Sequence, residues 1–109
     1  MDTSERKKLE VPKAVKKEFD QLPDKVKKRF AASIDAIRKG LDPYLALSPL
    51  TKSVGKGVYE LKINGKPAYR CVYIAKKEDA IHLLHFFTKT TNGVDTKAMK
   101  TAQKRLKDI

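Results

Sequence analysis

Arg70 stands in an otherwise apolar run, between Tyr69 and Cys71 and just ahead of Val72, Tyr73 and Ile74. A guanidinium among such neighbours is costly unless it meets an opposite charge, so this position predicts either an ion pair with a carboxylate such as Glu60 or a seat for an anion. Lys62, on the preceding alternating run, would share a basic sheet face with Arg70, and such a face can neutralise phosphates; the alternative is that the lysine only solvates the surface. The stretch Lys89-Thr90-Thr91-Asn92-Gly93 gathers a lysine, two hydroxyls and open backbone donors, a set able to grip a phosphate or simply to lead the chain into a helix. His85, just before it, carries an imidazole suited to acid-base work near neutral pH, or to a plain hydrogen bond within the sheet.

Other candidates are weaker. His82 and His85 are three apart, which on a helix would suggest a metal pair, but on a strand the spacing predicts opposite faces. The five carboxylates from residue 55 onward are scattered rather than clustered, so any phosphodiester chemistry here is expected to be metal-free, with no cofactor. Cys71 reads as a small buried hydrophobe rather than a nucleophile. Gly55-Lys56-Gly57 lacks the remaining glycine and the Lys-Ser/Thr pair of a phosphate loop and is expected to open a strand.

These residues must be positioned by a short chain. The 109 residues fit one domain spanning 1–109, and 40% apolar residues suffice for one ordinary core. Lysine and arginine number 25 against 13 acidic residues, a formal charge of +12 that points to a polyanionic partner. One cysteine excludes an internal disulfide and any zinc site needing two thiolates, and the cytoplasm is the expected compartment. No apolar run is long enough to span a bilayer, and MDTSERKKLE lacks the apolar core of a signal peptide, so no membrane role is expected.

Hydrophobic periodicity predicts an N-terminal helical hairpin over about residues 12–39. Val11, Val15, Phe19 and Leu22 mark its first helix, and Val26, Phe30, Ile34 and Ile37 its second, stopped by Gly40. Leu41–Val54 reads as an ordered loop. From Gly57 the period drops to two. Strands are expected near 57–63, 68–75 and 80–87, the first pair joined at Asn64-Gly65 and the second by a charged turn at Lys76–Asp79. Asp95 can cap a last helix over about 96–108, with Met99, Ala102, Leu106 and Ile109 on one face. A further strand around Leu9 has little local support. Helices followed by strands argue an α+β fold built on an antiparallel β-meander.

The order of these pieces is familiar. Tyr59-Glu60-Leu61-Lys62-Ile63, then Tyr69-Arg70-Cys71-Val72-Tyr73, then Leu83-Leu84-His85-Phe86-Phe87-Thr88-Lys89-Thr90-Thr91 and a basic last helix, together resemble the RelE/ParE superfamily of bacterial toxins, in its HigB-like, often phage-associated branch. The resemblance implies a RelE-like fold and the toxin of a type II toxin-antitoxin system. Its activity would be cleavage of messenger RNA, typically in the ribosomal A site, silenced by a cognate antitoxin. It places the basic sheet-face residues on Lys62 and Arg70, the basic residue after the last strand on Lys89, and the motif histidine on His85. The chain departs from relatives in carrying Glu60 for a second lysine, Lys89-Thr90 for two lysines, and no tyrosine after Tyr73.

Metal-free RNA cleavage needs a base for the 2′-hydroxyl proton, cations for the charge on phosphorus, and an acid for the leaving oxygen. Charge stabilisation is accordingly expected of Arg70 and Lys62, phosphate positioning of Lys89, and acid-base work of His85 or Glu60. The expected partners are mRNA, the ribosome and an antitoxin whose acidic or amphipathic segment forms a hetero-oligomer with the basic face. Two other functions fit the same charge: a ParE-like gyrase poison and a nucleic-acid-binding module without catalysis.

Overall fold

The computed structural model describes residues 6–76 and 80–109. Eight elements follow one another: β1 (Lys8–Glu10), α1 (Lys13–Asp20), α2 (Asp24–Arg38), β2 (Ala46–Pro49), β3 (Val58–Ile63), β4 (Ala68–Lys76), β5 (Ala80–Lys89) and α3 (Thr96–Leu106). The strands form one mixed sheet in the order β1-β5-β4-β3-β2, with the β3-β4-β5 meander at its centre. This is the expected α+β architecture with two edge strands added. No helix among the described residues is long and apolar enough to cross a membrane. Lys77, Glu78 and Asp79 of the expected charged turn lie outside the described residues.

Both added strands are explained by pairing that local patterning cannot show. Lys8–Glu10 lies parallel to Ala80–His82 and is tied to the end of α2, where Lys7 N–H donates to the Arg38 carbonyl at 2.9 Å and Arg38 Nε donates back to the Lys7 carbonyl at 2.8 Å. The Leu41–Val54 connector, read as a loop, instead contains β2, antiparallel to β3. Its entry is fixed by the wholly buried Ser33 hydroxyl of α2, which accepts the Leu45 N–H at 3.1 Å. The strand satisfies backbone groups on β3 that would otherwise be left open at the sheet edge.

Alternation along the central strands divides the side chains between two layers. On one face Leu61, Ile63, Cys71, Tyr73, Leu83 and Phe86 pack against Val15, Phe19, Val26, Phe30 and Ile34 of α1 and α2. On the other, Val58, Val72, Ile74 and Leu84 pack against Ala98, Met99 and Ala102 of α3. Asp95 starts α3 by accepting the Ala98 N–H at 3.1 Å, as its position predicts.

One irregularity re-aims β5. Val72 pairs with His85 but Tyr73 pairs with Leu83, leaving Leu84 as the extra residue of a β-bulge. The bulge shifts the phase of alternation, so Leu83 and Phe86 both face α1 and α2. His82, opposite Ile74, and His85, opposite Val72, then share the α3 side rather than pointing to opposite faces as uninterrupted alternation predicts.

Candidate functional site

The α3 face divides along its length. Eleven residues of helix span about 16 Å, while the nine residues of β4 span about 30 Å, so one helix cannot cover the strands it packs on. Beyond α3 the open end carries the polar residues. Lys62 on β3 pairs with Arg70 on β4, Arg70 with Phe87 on β5, and Lys89 with Ala68, two residues before Arg70. Glu60 stands on the same face, two residues before Lys62. Register alone therefore brings Glu60, Lys62, Arg70 and Lys89 to one end of one face.

Arg70 is 8% exposed and its guanidinium is held from several sides. Nη1 donates to the Tyr69 carbonyl at 3.0 Å and the Ile63 carbonyl at 3.3 Å, and Nη2 to Asn64 Oδ1 at 3.3 Å. None of these acceptors is a carboxylate, so hydrogen bonding orients the charge without cancelling it. Nε lies 3.8 Å from Glu60 Oε1, too far for a hydrogen bond, and among the described residues it is a buried side-chain donor without a partner. An unmatched buried donor of this kind is costly to the fold.

Glu60, also 8% exposed, is the only carboxylate in this cluster among the described residues. Burial pushes its carboxyl above the ordinary range, and the charges of Arg70, Lys62 and Lys89 pull it back without offsetting that push. A carboxyl raised in this way moves toward the range useful in proton transfer. Lys62 and Lys89 are half-buried, and Lys89 Nζ donates to the Thr91 carbonyl at 2.7 Å.

His85 belongs to a different constellation. Its row partner Val72 is wholly buried and stands between it and Glu60. Glu18 of α1 reaches the free edge of β5 beyond β1 and holds both carboxylate oxygens 3.0 Å from His85 Nδ1, while Oε1 accepts the Phe86 N–H at 3.1 Å. From the opposite layer Arg105 of α3 donates to Glu18 at 3.0 Å and to the Leu84 carbonyl at 2.9 Å. Burial pushes the Glu18 carboxyl up, but the His85 bond, the Phe86 N–H, the charge of His85 and the Arg105 hydrogen bond outweigh it and hold it below its ordinary value. The three residues thus clamp the two helical layers across the sheet edge and satisfy the backbone groups exposed at the bulge. Neither Glu18 nor Arg105 carries a local sequence signal for this role, because each meets its partner only through the fold.

The remaining candidates are quickly placed. Cys71 is wholly buried and its thiol is pushed strongly upward by that burial, against nucleophilic use. Gly57, with φ of 82°, makes the turn into β3 that few side chains would allow. Among the described residues no group of three His, Cys, Asp or Glu side chains could hold a metal ion.

A polar cleft of about 450 Å³ opens beside Arg70, between the β3-β4 turn and the loop after β5. A second, apolar hollow of about 350 Å³ lies in the other layer between α1, α2 and β5.

Comparison with known proteins fits this architecture. The fold matches that of an E. coli RelE toxin carrying two arginine-to-alanine substitutions, in the free state, with a TM-score of 0.64 at 17% identity over 93% of this chain and 98% of that one. Isolated E. coli RelE toxin matches at 0.58 and 16% identity, over 86% and 96%. Among curated proteins none matches in sequence. The profile of the family described as Phage derived protein Gp49-like matches residues 17–107, from the middle of α1 to the end of α3. With that span, the chain belongs to the phage-derived Gp49-like family of proteins, and its fold is that of the RelE toxin structures.

Proposed function

We propose that this protein is the toxin of a type II toxin-antitoxin system and a metal-independent endoribonuclease that cuts messenger RNA on the ribosome. The observation that carries the reading is the convergence of Lys62, Arg70 and Lys89 around one buried carboxylate, Glu60, at the open end of the α3 face. Likeness to RelE toxins supports the biological setting, and the charge of +12 supports a polyanionic substrate.

In this reading Glu60 takes the 2′-hydroxyl proton and the 2′ oxygen forms a bond to the adjacent phosphorus. The bond from phosphorus to the 5′ oxygen breaks, leaving a 2′,3′-cyclic phosphate and a 5′-hydroxyl. Arg70, fixed by its backbone acceptors, and Lys62 hold the charge that builds on the phosphoryl oxygens. Lys89 positions the phosphate, and a flanking ammonium of Lys62 or Lys89 hands the departing oxygen its proton. His85, engaged by Glu18, keeps α1 and α3 against β5.

Primer extension on a defined transcript, with and without ribosomes, tests this directly. The wild-type protein should create discrete new 5′ ends on translated mRNA. Lys62→Ala should slow cleavage by about 10²–10³-fold, the range seen when one oxyanion donor is removed. Arg70→Ala should do the same, with circular dichroism confirming that the turn it braces still forms. Unchanged cutting by a folded Glu60→Gln protein, or replication arrest that precedes translation arrest, would overturn the assignment.

A further inference from the structure

We infer that the cleft beside Arg70 is a subsite for one ribonucleotide of the substrate strand, next to the phosphate that is cut. The inference rests on the nuclease reading and names where the neighbouring nucleotide lies. Lys66 on the β3-β4 turn, Arg70 on β4 and Lys89 at the end of β5 bring three cations to the cleft, and no carboxylate lines it. Glu60, outside the cleft lining, offsets part of the charge of Arg70 and Lys89 from the adjoining face, and one carboxylate against three cations leaves the cleft net positive. That imbalance favours an anion.

Size and lining point past a bare phosphate. A volume of about 450 Å³ is several times what a phosphate fills and suits a nucleotide with its base. The turn contributes the Pro67 ring and Gly65, apolar surface against which a base can lie, and the opposite wall contributes the hydroxyls of Thr90 and Thr91 and the amide of Asn92. An amide carries both a donor and acceptors, the combination that reads a base edge. Lys89 Nζ, held by the Thr91 carbonyl at 2.7 Å, ties the loop beside it and is placed to exchange that carbonyl for a phosphate oxygen. Arg70 adds fixed charge from below, its Nη groups being committed to the turn. Among the described residues Lys66 forms no ion pair and takes no part in the proposed chemistry, so it reports on the cleft alone.

The test titrates the full-length protein with an oligoribonucleotide carrying 2′-deoxyribose at the cut position, with nucleoside 5′-monophosphates and with inorganic phosphate, followed by backbone amide NMR shifts. Oligonucleotide and monophosphates should shift the amides of Gly65, Lys66 and Ala68 and of residues 89–92. Lys66→Ala should weaken oligonucleotide binding about tenfold and lower the salt slope by about one. Asn92→Ala should alter the ranking of the four monophosphates. Shifts confined to the α3 lysines, or Lys66→Ala affinity equal to wild type, would overturn the subsite; inorganic phosphate binding as tightly as the monophosphates would overturn its nucleotide character. Because binding is read without cleavage, a protein that binds here but cuts nothing would sink the nuclease reading and leave the subsite standing.

Discussion

The two faces of the central meander are made by the same three strands and meet opposite fates. Toward α1 and α2, Leu61, Ile63, Cys71, Tyr73, Ile81, Leu83 and Phe86 are all buried, and Phe30 wedges edge-on against Phe86 at a centroid distance of 5.5 Å. Toward α3, the buried apolar side chains run from Val58 and Ile74 to Val72, and Glu60, Lys62, Arg70 and Lys89 gather at the other end, where the half-buried Phe87 stands opposite Arg70. The sealed layer has 23 helical residues to spread over the sheet and the other only 11. A site opens because a helix is too short for its strands. Stability and chemistry are therefore separable here, and mutations on the two faces should part accordingly.

The sharpest contrast comes from Phe30→Ala. Phe30 is wholly buried in the sealed layer, and its truncation should cost about 3–5 kcal/mol. Urea denaturation would record this as a large drop in midpoint, enough to leave a domain of ordinary stability partly unfolded. Lys62→Ala on the open end should move the same midpoint by no more than about 0.5 kcal/mol. Equal losses from both substitutions would break the contrast between the faces.

Next in size is the clamp that bridges the two layers. Glu18→Ala strands the Phe86 N–H, His85 Nδ1 and Arg105 at once, and should cost about 1–3 kcal/mol. Its pH dependence has a definite sign. The Glu18 carboxyl is held below its ordinary 4.5 in the fold, so its contribution is present above pH 4.5 and is lost as pH falls through the folded value. Unfolding curves of wild type and Glu18→Gln should converge on acidification below 4.5, while a gap that stays constant to low pH would show that the carboxylate contributes nothing through its charge.

Sequence patterning carried much of this architecture because its signals are local. The apolar stripes of α1 and α2, the alternation of β3, Asn64-Gly65 and the Asp95 cap each specify their own element. Lys62 and Arg70 were legible as a pair for the same reason, since two alternating strands joined by a short turn fix which residues face each other. What patterning missed depends on partners distant in sequence. The edge strand β2 exists by pairing with β3, and β1, where the sequence offered only weak support for a strand around Leu9, exists by pairing with β5. The bulge at Leu84, which puts His82 and His85 on one side, leaves no mark in a run of hydrophobic residues, and Glu18 is 67 positions from His85.

The smallest expected effect runs opposite in sign to the first. Glu60 is buried with its carboxyl raised above the ordinary 4.5, so folding is favoured most below that value and loses ground as pH climbs through the folded one. Once ionised, Glu60 is a desolvated charge with Arg70 Nε 3.8 Å away and no hydrogen bond between them. Glu60→Gln removes that charge and keeps the volume. It should leave the protein as stable as wild type or more so, by up to about 1 kcal/mol at pH 8, with no gain at pH 4, while cleavage is lost. A residue whose neutralisation helps the fold and abolishes the reaction is one the fold tolerates for its chemistry. If wild type proves the more stable at pH 8, Glu60 is an ion-pair partner of Arg70 first, and the open end of the α3 face is held together by the same kind of mutual support as the sealed one.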